Sequence, residues 1–186
     1  MFRVLLLSLL CFSSNNIYAE HVTGASNLDH RKFDNLTSDG YLQFFDLNVE
    51  GEFISHGAVV GKKLKCHNFS INGSLKVSDL TAEFGAVEGS ISGRNVNIPG
   101  KLTISGGLYL GKSRLGDVEI ASNSAAFEDT KIHNILVKVN NRHKEQKITL
   151  KDKTIITGNV IFESGNGKIY LEGDARIEGK IEGAVI

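Results

Sequence analysis

Residues 69–77 read Phe-Ser-Ile-Asn-Gly-Ser-Leu-Lys-Val, and this stretch decides the fold. Apolar residues occupy every second position on both sides of Gly73, and residues 96–104 and 156–162 repeat the arrangement. Successive side chains of a β-strand point to opposite faces, so this alternation places one side of each strand in a core. Glycine permits a tight bend between two such strands. The stretch therefore predicts short strands joined by glycine bends.

The glycine content extends this prediction to the whole chain. The sequence has 20 glycines and one proline, and glycine costs about 1 kcal/mol relative to alanine in a helix interior. Five glycines recur at nearly even spacing: Gly40, Gly51, Gly61, Gly73 and Gly85. We predict an all-β chain, a single-stranded parallel β-helix or solenoid with short irregular coils, and the alternative is a β-sandwich. With two such units in each turn, a coil would take roughly 20–22 residues.

The first residues predict export. Arg3 precedes an apolar run over residues 4–12, and the small residue Ala19 suits signal-peptidase cleavage. We therefore assign residues 1–19 to a signal peptide, 20–44 to a linker or N-terminal cap, and 45–186 to the β-solenoid. Cleavage before Cys11 would instead yield a lipoprotein, but the bulky Leu10 disfavours it. The apolar run is shorter than the roughly 20 residues that span a membrane, so we expect a periplasmic, surface or secreted protein without a transmembrane segment.

Charge and cysteine content narrow the functional classes. Removal of residues 1–19 leaves 20 basic and 21 acidic residues, so no global field attracts nucleic acid. Cys66 is then the only cysteine, which excludes an intramolecular disulfide. Alternation predicts that Leu64 and Cys66 point inward and that His67 points outward, which disfavours a joint metal or nucleophilic role.

One segment matches a phosphate-binding loop by its letters. Residues 106–113 read Gly-Gly-Leu-Tyr-Leu-Gly-Lys-Ser and fit the pattern G-x-x-x-x-G-K-[ST]. The apolar Leu-Tyr-Leu interior predicts a strand, and no helix pattern follows it, so the helix N-terminus that such a loop needs is missing. No catalytic cluster, metal site or cofactor is predicted anywhere in the chain.

Two other segments are candidate sites. The basic run near residues 138–153 predicts a loop that could bind an acidic polysaccharide through Lys138, Arg142, Lys144 and Lys147; the alternative is a solvated insertion. The C-terminal stretch keeps its apolar alternation to the last residue, which predicts self-association into a homo-oligomer through Ile177, Ile181 and Val185.

The repeated pattern of an apolar residue, any residue, glycine and any residue resembles that of the bactofilins, which are bacterial polymer-forming β-helix proteins. The segments that carry the resemblance are Val87-Glu-Gly-Ser-Ile-Ser-Gly93 and Ile177-Glu-Gly-Lys-Ile-Glu-Gly183. The closing stretch of residues 158–169, followed by residues 177–181, is similar to exported, glycine-punctuated bacterial β-repeat proteins of uncharacterised type. Together the two resemblances cover roughly residues 45–186 and imply a β-helix that can assemble. The chain differs from bactofilins in its signal peptide and its irregular coil lengths, which disfavours a cytoskeletal role.

These observations predict a non-catalytic, exported bacterial envelope or surface protein. It would act as a scaffold, an adhesin-like binding module or a self-assembling element, with a polysaccharide or another envelope component as its partner. The alternative is a glycan-acting enzyme or a lectin built on a β-helix.

Overall fold

The computed structural model describes residues 19–139 and 145–186. Its regular structure there is entirely β-strand, and the strands pair in parallel in one sheet that winds into a β-solenoid of about ten turns. The predicted parallel solenoid is confirmed, and the alternative β-sandwich is wrong, because sandwich sheets are antiparallel. Of the predicted signal peptide, only Ala19 lies within the described residues.

The long strands run through several coils and bend at the corners. The strands are β1 (Ala19–Phe33), β2 (Asn35–Thr81), β3 (Phe84–Gly111), β4 (Arg114–Ile120), β5 (Ser124–Glu128), β6 (Lys131–Val137), β7 (Lys147–Lys151), β8 (Ile155–Ile156), β9 (Val160–Phe162), β10 (Gly167–Leu171), β11 (Arg176–Ile177), β12 (Ile181–Glu182) and β13 (Ala184–Val185).

One turn of the solenoid, called a coil here, is short in most of the chain. Ala19 lies opposite Asn35, and Leu108 lies opposite Ala125, so strand partners in neighbouring coils differ by 16 or 17 in residue number. The hydrogen bonds from Asn95 to Asp79 and from Val96 N to Ser113 join residues with the same separations. The later coils are longer, since Ile135 lies opposite Val160. Coils 1–9 comprise residues 19–34, 35–50, 51–67, 68–83, 84–100, 101–116, 117–133, 134–158 and 159–179, and coil 10 begins at residue 180. The predicted irregular coils are present, but the predicted coil length is too long for coils 1–7.

The glycine spacing predicted the wrong coil length. Glycines that lie at different positions of the coil alternate along the sequence, so the distance between successive glycines is not the length of a coil. One column stacks glycines from six successive coils at the same bend, all with positive φ: Gly24, Gly40, Gly57, Gly73, Gly89 and Gly106. Gly51 lies instead at the boundary between coils 2 and 3, and Gly61 and Gly85 lie within faces. Only the first column reports the true repeat.

Each coil has three stretches, called the first, second and third face. In coil 4 they are residues 68–72, 74–78 and 80–83, separated by Gly73 and by Asp79, which has a φ of 60°. Residues equivalent to Asp79 form a second left-handed column: His30, Asp46, Lys63, Asp79, Asn95, Lys112, Asp129 and Asp152. Asn and Asp tolerate this conformation better than most side chains. Because the bends repeat, each face carries aligned outward side chains from coil to coil.

The core follows from alternation within every face. Coil 4 sends two residues inward from each of its faces: Phe69 and Ile71, Leu75 and Val77, Leu80 and Ala82. Stacking of equivalent residues from neighbouring coils produces one continuous apolar core along the solenoid axis. The structure is thus held by apolar burial and by hydrogen bonds between coils.

Residues 20–44, for which the sequence predicts a linker or an N-terminal cap, form most of β1 and the start of β2. They pair in the register of the solenoid, with His21 opposite Thr37 and Leu28 opposite Phe44. The segment therefore belongs to the first two coils. Sequence patterning missed it because coil 1 exposes most of its residues and has few apolar ones to alternate.

The side chains around Cys66 have the predicted directions. Leu64 and Cys66 are buried and His67 is exposed, with its Nδ1 3.7 Å from Glu83 Oε2. Burial raises the pKa of the Cys66 thiol to about 12, which keeps it protonated at neutral pH. The segment matching a phosphate loop is also strand, since β3 runs to Gly111. Ser113 is buried, and its hydroxyl donates to Gly111 O at 2.8 Å and accepts from Val96 N at 3.1 Å.

Ser55 is expected to be a site where alanine stabilises the protein. Its side chain is fully buried, and its hydroxyl has no hydrogen-bond partner in the described structure. Ser55→Ala removes a desolvated polar group, so the free energy of unfolding should rise by about 1 kcal/mol in a urea titration. Ser113→Ala is the matched control, because it removes two hydrogen bonds and should lower the same free energy by about 1–3 kcal/mol. A loss of stability in Ser55→Ala would contradict the prediction.

Candidate binding groove on the second face

The predicted basic loop is only partly within the described residues, because Arg142 and Lys144 lie outside them. Lys138 Nζ lies 2.8 Å from Glu163 Oε1, and this contact raises the pKa of Lys138. Lys147 lies 3.1 Å from Glu145, which Lys168 also contacts at 2.7 Å. Each of the two described lysines of the predicted site is therefore paired with a carboxylate, and Lys147 shares its carboxylate with Lys168. Anion binding by this loop stays a prediction.

The residues predicted to mediate self-association lie in the last two coils. Ile177 lies opposite Ile156, Ile181 lies opposite Val160, and both pack partly buried against the core. Val185 is 64% exposed. Of the three, Val185 thus presents the most apolar surface, whereas substitution of Ile177 or Ile181 would also disturb the core. Self-association through this coil stays a prediction.

A groove of about 500 Å³ crosses the second face between coils 2 and 6. Its floor includes Gly61 and Gly93, which stand at inward positions where other coils carry Phe44 or Val77. The small outward residues Ser78 and Ser92 lie in its middle. The groove therefore forms where serines stand at outward positions that carry larger side chains in other coils, whereas the space inward of Gly61 is filled by the Phe44 ring.

An aromatic ring closes each end of the groove. Phe45 in coil 2 is 38% exposed. Its ring forms a T-shaped pair with His30, with the ring centroids 5.1 Å apart, and Lys63 Nζ lies over it at 5.3 Å from its centroid. Tyr109 in coil 6 donates a hydrogen bond from its hydroxyl to Glu128. Both rings are held in place by neighbouring residues, so their orientation is set before any ligand arrives.

Positive charge lines the groove between the two rings. Lys62, Lys76 and Arg94 come from coils 3, 4 and 5, one from each coil, and no carboxylate is among the lining residues. Arg94 Nη2 lies 3.4 Å from Glu128 Oε1, outside the groove lining. Across residues 19–139 and 145–186, neither Lys62 nor Lys76 has an ion-pair partner, whereas the neighbouring Lys63 pairs with Asp46. Two unneutralised ammonium groups favour an anionic ligand.

Sequence reasoning missed this groove because it used the wrong coil length. Its aromatic and basic residues come from five separate segments, and their spacing looks unrelated at the longer period predicted from the sequence: Phe45, Lys62, Lys76, Arg94 and Tyr109. The shorter step of the structure brings them to the same face of five successive coils. The signal that could have found them is the true glycine column, whose members share that step.

The other polar clusters are weaker candidates for a binding site. Asp39 accepts hydrogen bonds from His56 at 2.7 Å and from His21 at 2.6 Å, and these contacts lower its pKa. Within the described part of the chain, one group of three carboxylates is close enough to share a cation: Glu128, Asp129 and Asp152. Glu128 and Asp129 already accept hydrogen bonds from Tyr109 and from Lys153 N.

A second depression lies at the corner of the second left-handed column and is lined by four cations: Lys112, Arg114, Lys131 and Lys153. Asp129 also lines it, and no aromatic residue does.

The fold defines the chain as a parallel β-solenoid protein. No protein-family model, curated protein or solved structure matches it. The described residues also contain no helix able to cross a membrane. The second-face groove is therefore the feature on which a functional argument can be built.

Proposed function

We propose that the protein is a non-catalytic, exported bacterial envelope or surface protein whose solenoid is a scaffold that binds an extended ligand along the second-face groove. The observation that carries the proposal is the line Phe45, Lys62, Lys76, Arg94 and Tyr109, which contributes one exposed or half-buried side chain from each of five successive coils. A chain-like ligand that follows the solenoid axis would contact all five, whereas a compact ligand would reach two or three.

The architecture supports binding more than catalysis. The groove is open to solvent and has no carboxylate, histidine or cysteine among its lining residues. Lysine and tyrosine can also transfer protons, but Lys76 and Tyr109 come from coils 4 and 6, and the Tyr109 hydroxyl is already bonded to Glu128. The groove offers cations, hydroxyls and aromatic rings, which are groups that bind. Export of the protein is an expectation from the signal peptide that residues 1–19 predict.

A groove-filling substitution tests the proposal without assuming the ligand's chemistry. Ser92 points into the middle of the groove, so Ser92→Trp should block an extended ligand there. Ser70→Trp places the same side chain at an exposed position of the first face. We expect the mature chain and Ser70→Trp to bind members of an immobilised panel of neutral and acidic polysaccharides, and Ser92→Trp to lose at least about tenfold in affinity, equivalent to 1.4 kcal/mol.

Two outcomes would contradict the proposal. One is equal binding by Ser92→Trp and Ser70→Trp, which would place the ligand elsewhere. The other is shortening of a bound polysaccharide by the parent chain, measured by size-exclusion chromatography after incubation, which would favour the alternative of a glycan-acting enzyme. Thermal unfolding followed by circular dichroism checks that both tryptophan variants remain folded.

A further inference from the structure

We infer that the ligand of the second-face groove is an acidic polysaccharide, whose sugar rings pack on Phe45 and Tyr109 and whose carboxylates pair with Lys62 and Lys76. The inference rests on the proposed function, and it adds the chemical class of the ligand. Three properties of the groove carry it: its length, its fixed aromatic ends and its unpaired cations.

The length of the groove favours a polymer. Neighbouring strands of a sheet lie about 4.7–4.9 Å apart, so the four steps from Phe45 in coil 2 to Tyr109 in coil 6 cover about 19 Å along the axis. The small side chains of Ser78 and Ser92 leave the middle of the groove clear between the rings. A linear chain of several sugar units occupies such a path better than a single monosaccharide.

The aromatic ends favour sugar rings. The faces of pyranose rings carry C–H groups, which pack on the negative face of an aromatic ring. Phe45 is restrained by His30 and Lys63, and Tyr109 is restrained by Glu128. Restrained rings lose little conformational freedom on binding. The side chains of Gln43, Ser78 and Ser92 line the groove as well and can exchange hydrogen bonds with sugar hydroxyls.

The arrangement of charge favours a carboxylate-bearing polysaccharide over a nucleic acid. Within the part of the chain that the structure describes, Lys62 and Lys76 are exposed and have no ion-pair partner, and they stand between the two rings rather than among further aromatic residues. A single-stranded nucleic acid binds by stacking successive bases on closely spaced aromatic rings. Here two rings are separated by three coils of lysine, arginine and serine side chains. A polymer that carries a carboxylate on its sugar units can form ion pairs with both lysines, which stand on the neighbouring coils 3 and 4.

A pair of ligands that differ only in charge tests the inference. The probes are an oligomer of polygalacturonate long enough to span coils 2–6 and the same oligomer with its carboxylates methyl-esterified. We expect isothermal titration calorimetry to show at least tenfold tighter binding of the acidic form. The double variant Lys62→Gln/Lys76→Gln should lose roughly tenfold in affinity for each lysine removed and should show a shallower dependence on salt. Its affinity for the esterified form should not change.

The matched control is Lys112→Gln/Lys131→Gln, which removes the same charge from the corner depression outside the groove. It should bind the acidic oligomer within about twofold of the parent chain. Phe45→Ala should weaken binding of both oligomers, because it removes a ring contact that does not depend on charge.

The outcomes separate this inference from the proposed function. Equal affinity for the acidic and esterified oligomers, both lost in Ser92→Trp, would overturn the acidic ligand and leave the groove as the binding site. Tighter binding of a single-stranded oligonucleotide than of polygalacturonate would overturn the ligand class. Equal losses in the two lysine double variants would show that only overall charge matters and would overturn the inference. Binding that Ser92→Trp leaves unchanged would overturn the proposed function itself.

Discussion

Replacement of Gly73 by alanine is expected to destabilise the solenoid by on the order of 4 kcal/mol. An ideal Cβ at Gly73 would lie 2.8 Å from the carbonyl carbon and 3.1 Å from the Cα of Gly57, and closer still to its carbonyl oxygen. Those atoms belong to the backbone of the preceding coil, so no side-chain rotation can make room. Gly73 also has a φ of 142°, which L side chains adopt at a cost. The substitution must therefore separate two coils or bend the backbone.

Gly24→Ala is the matched control for this prediction. Gly24 belongs to the same column and has a φ of 74°, but a Cβ there would have no neighbour within 4 Å. Only the backbone strain remains, and we expect a loss of about 1–2 kcal/mol. Urea titrations followed by circular dichroism measure both free energies of unfolding. Similar losses in the two variants would show that strain, rather than the close approach of coils, makes glycine necessary.

Phe127→Ala is expected to cost about 3–5 kcal/mol. Phe127 is fully buried in coil 7 and lies in register between Leu110 in coil 6 and Leu150 in coil 8. Alanine would leave a cavity in the middle of the core, and neighbouring backbone that is paired on both sides can relax only slightly to fill it. The measurement is again the free energy of unfolding in urea.

Phe84→Ala provides the comparison, because Phe84 is 43% exposed on the first face. Its removal should cost less than about 1.5 kcal/mol. A cost for Phe127→Ala below that of Phe84→Ala would contradict the assignment of Phe127 to the core. Separate unfolding transitions for the two halves of the solenoid would show that the core does not act as one cooperative unit.

The sequence predicted the fold class and the direction of individual side chains well. Alternation depends on neighbouring residues alone, so it identified the inward positions of Leu64 and Cys66 and the strand within residues 106–113. Coil length depends on which glycines stack, and stacking joins residues that are a whole coil apart in the sequence. Local patterns cannot separate Gly57, which stacks on Gly40, from Gly51, which lies at another corner.

The candidate site was harder to predict for the same reason. Charge density along the chain drew attention to Lys138 and Lys147, which the fold pairs with Glu163 and Glu145. Lys62 stands in the short basic run of residues 62–65 and Lys76 stands alone in its strand, and only the register brings the two beside Phe45 and Tyr109. A groove made of one residue per coil leaves no contiguous motif.

The glycine column also governs where the chain can change length. In coils 1–6, where the column is unbroken, the step between stacked glycines stays nearly constant. The first long step comes after Gly106, where Ser124 lies opposite Lys147. Contact between successive backbones leaves no room for extra residues at Gly57 or Gly73. Foreign loops grafted after Lys138 should therefore be tolerated, whereas the same loops grafted at Gly73 should prevent folding.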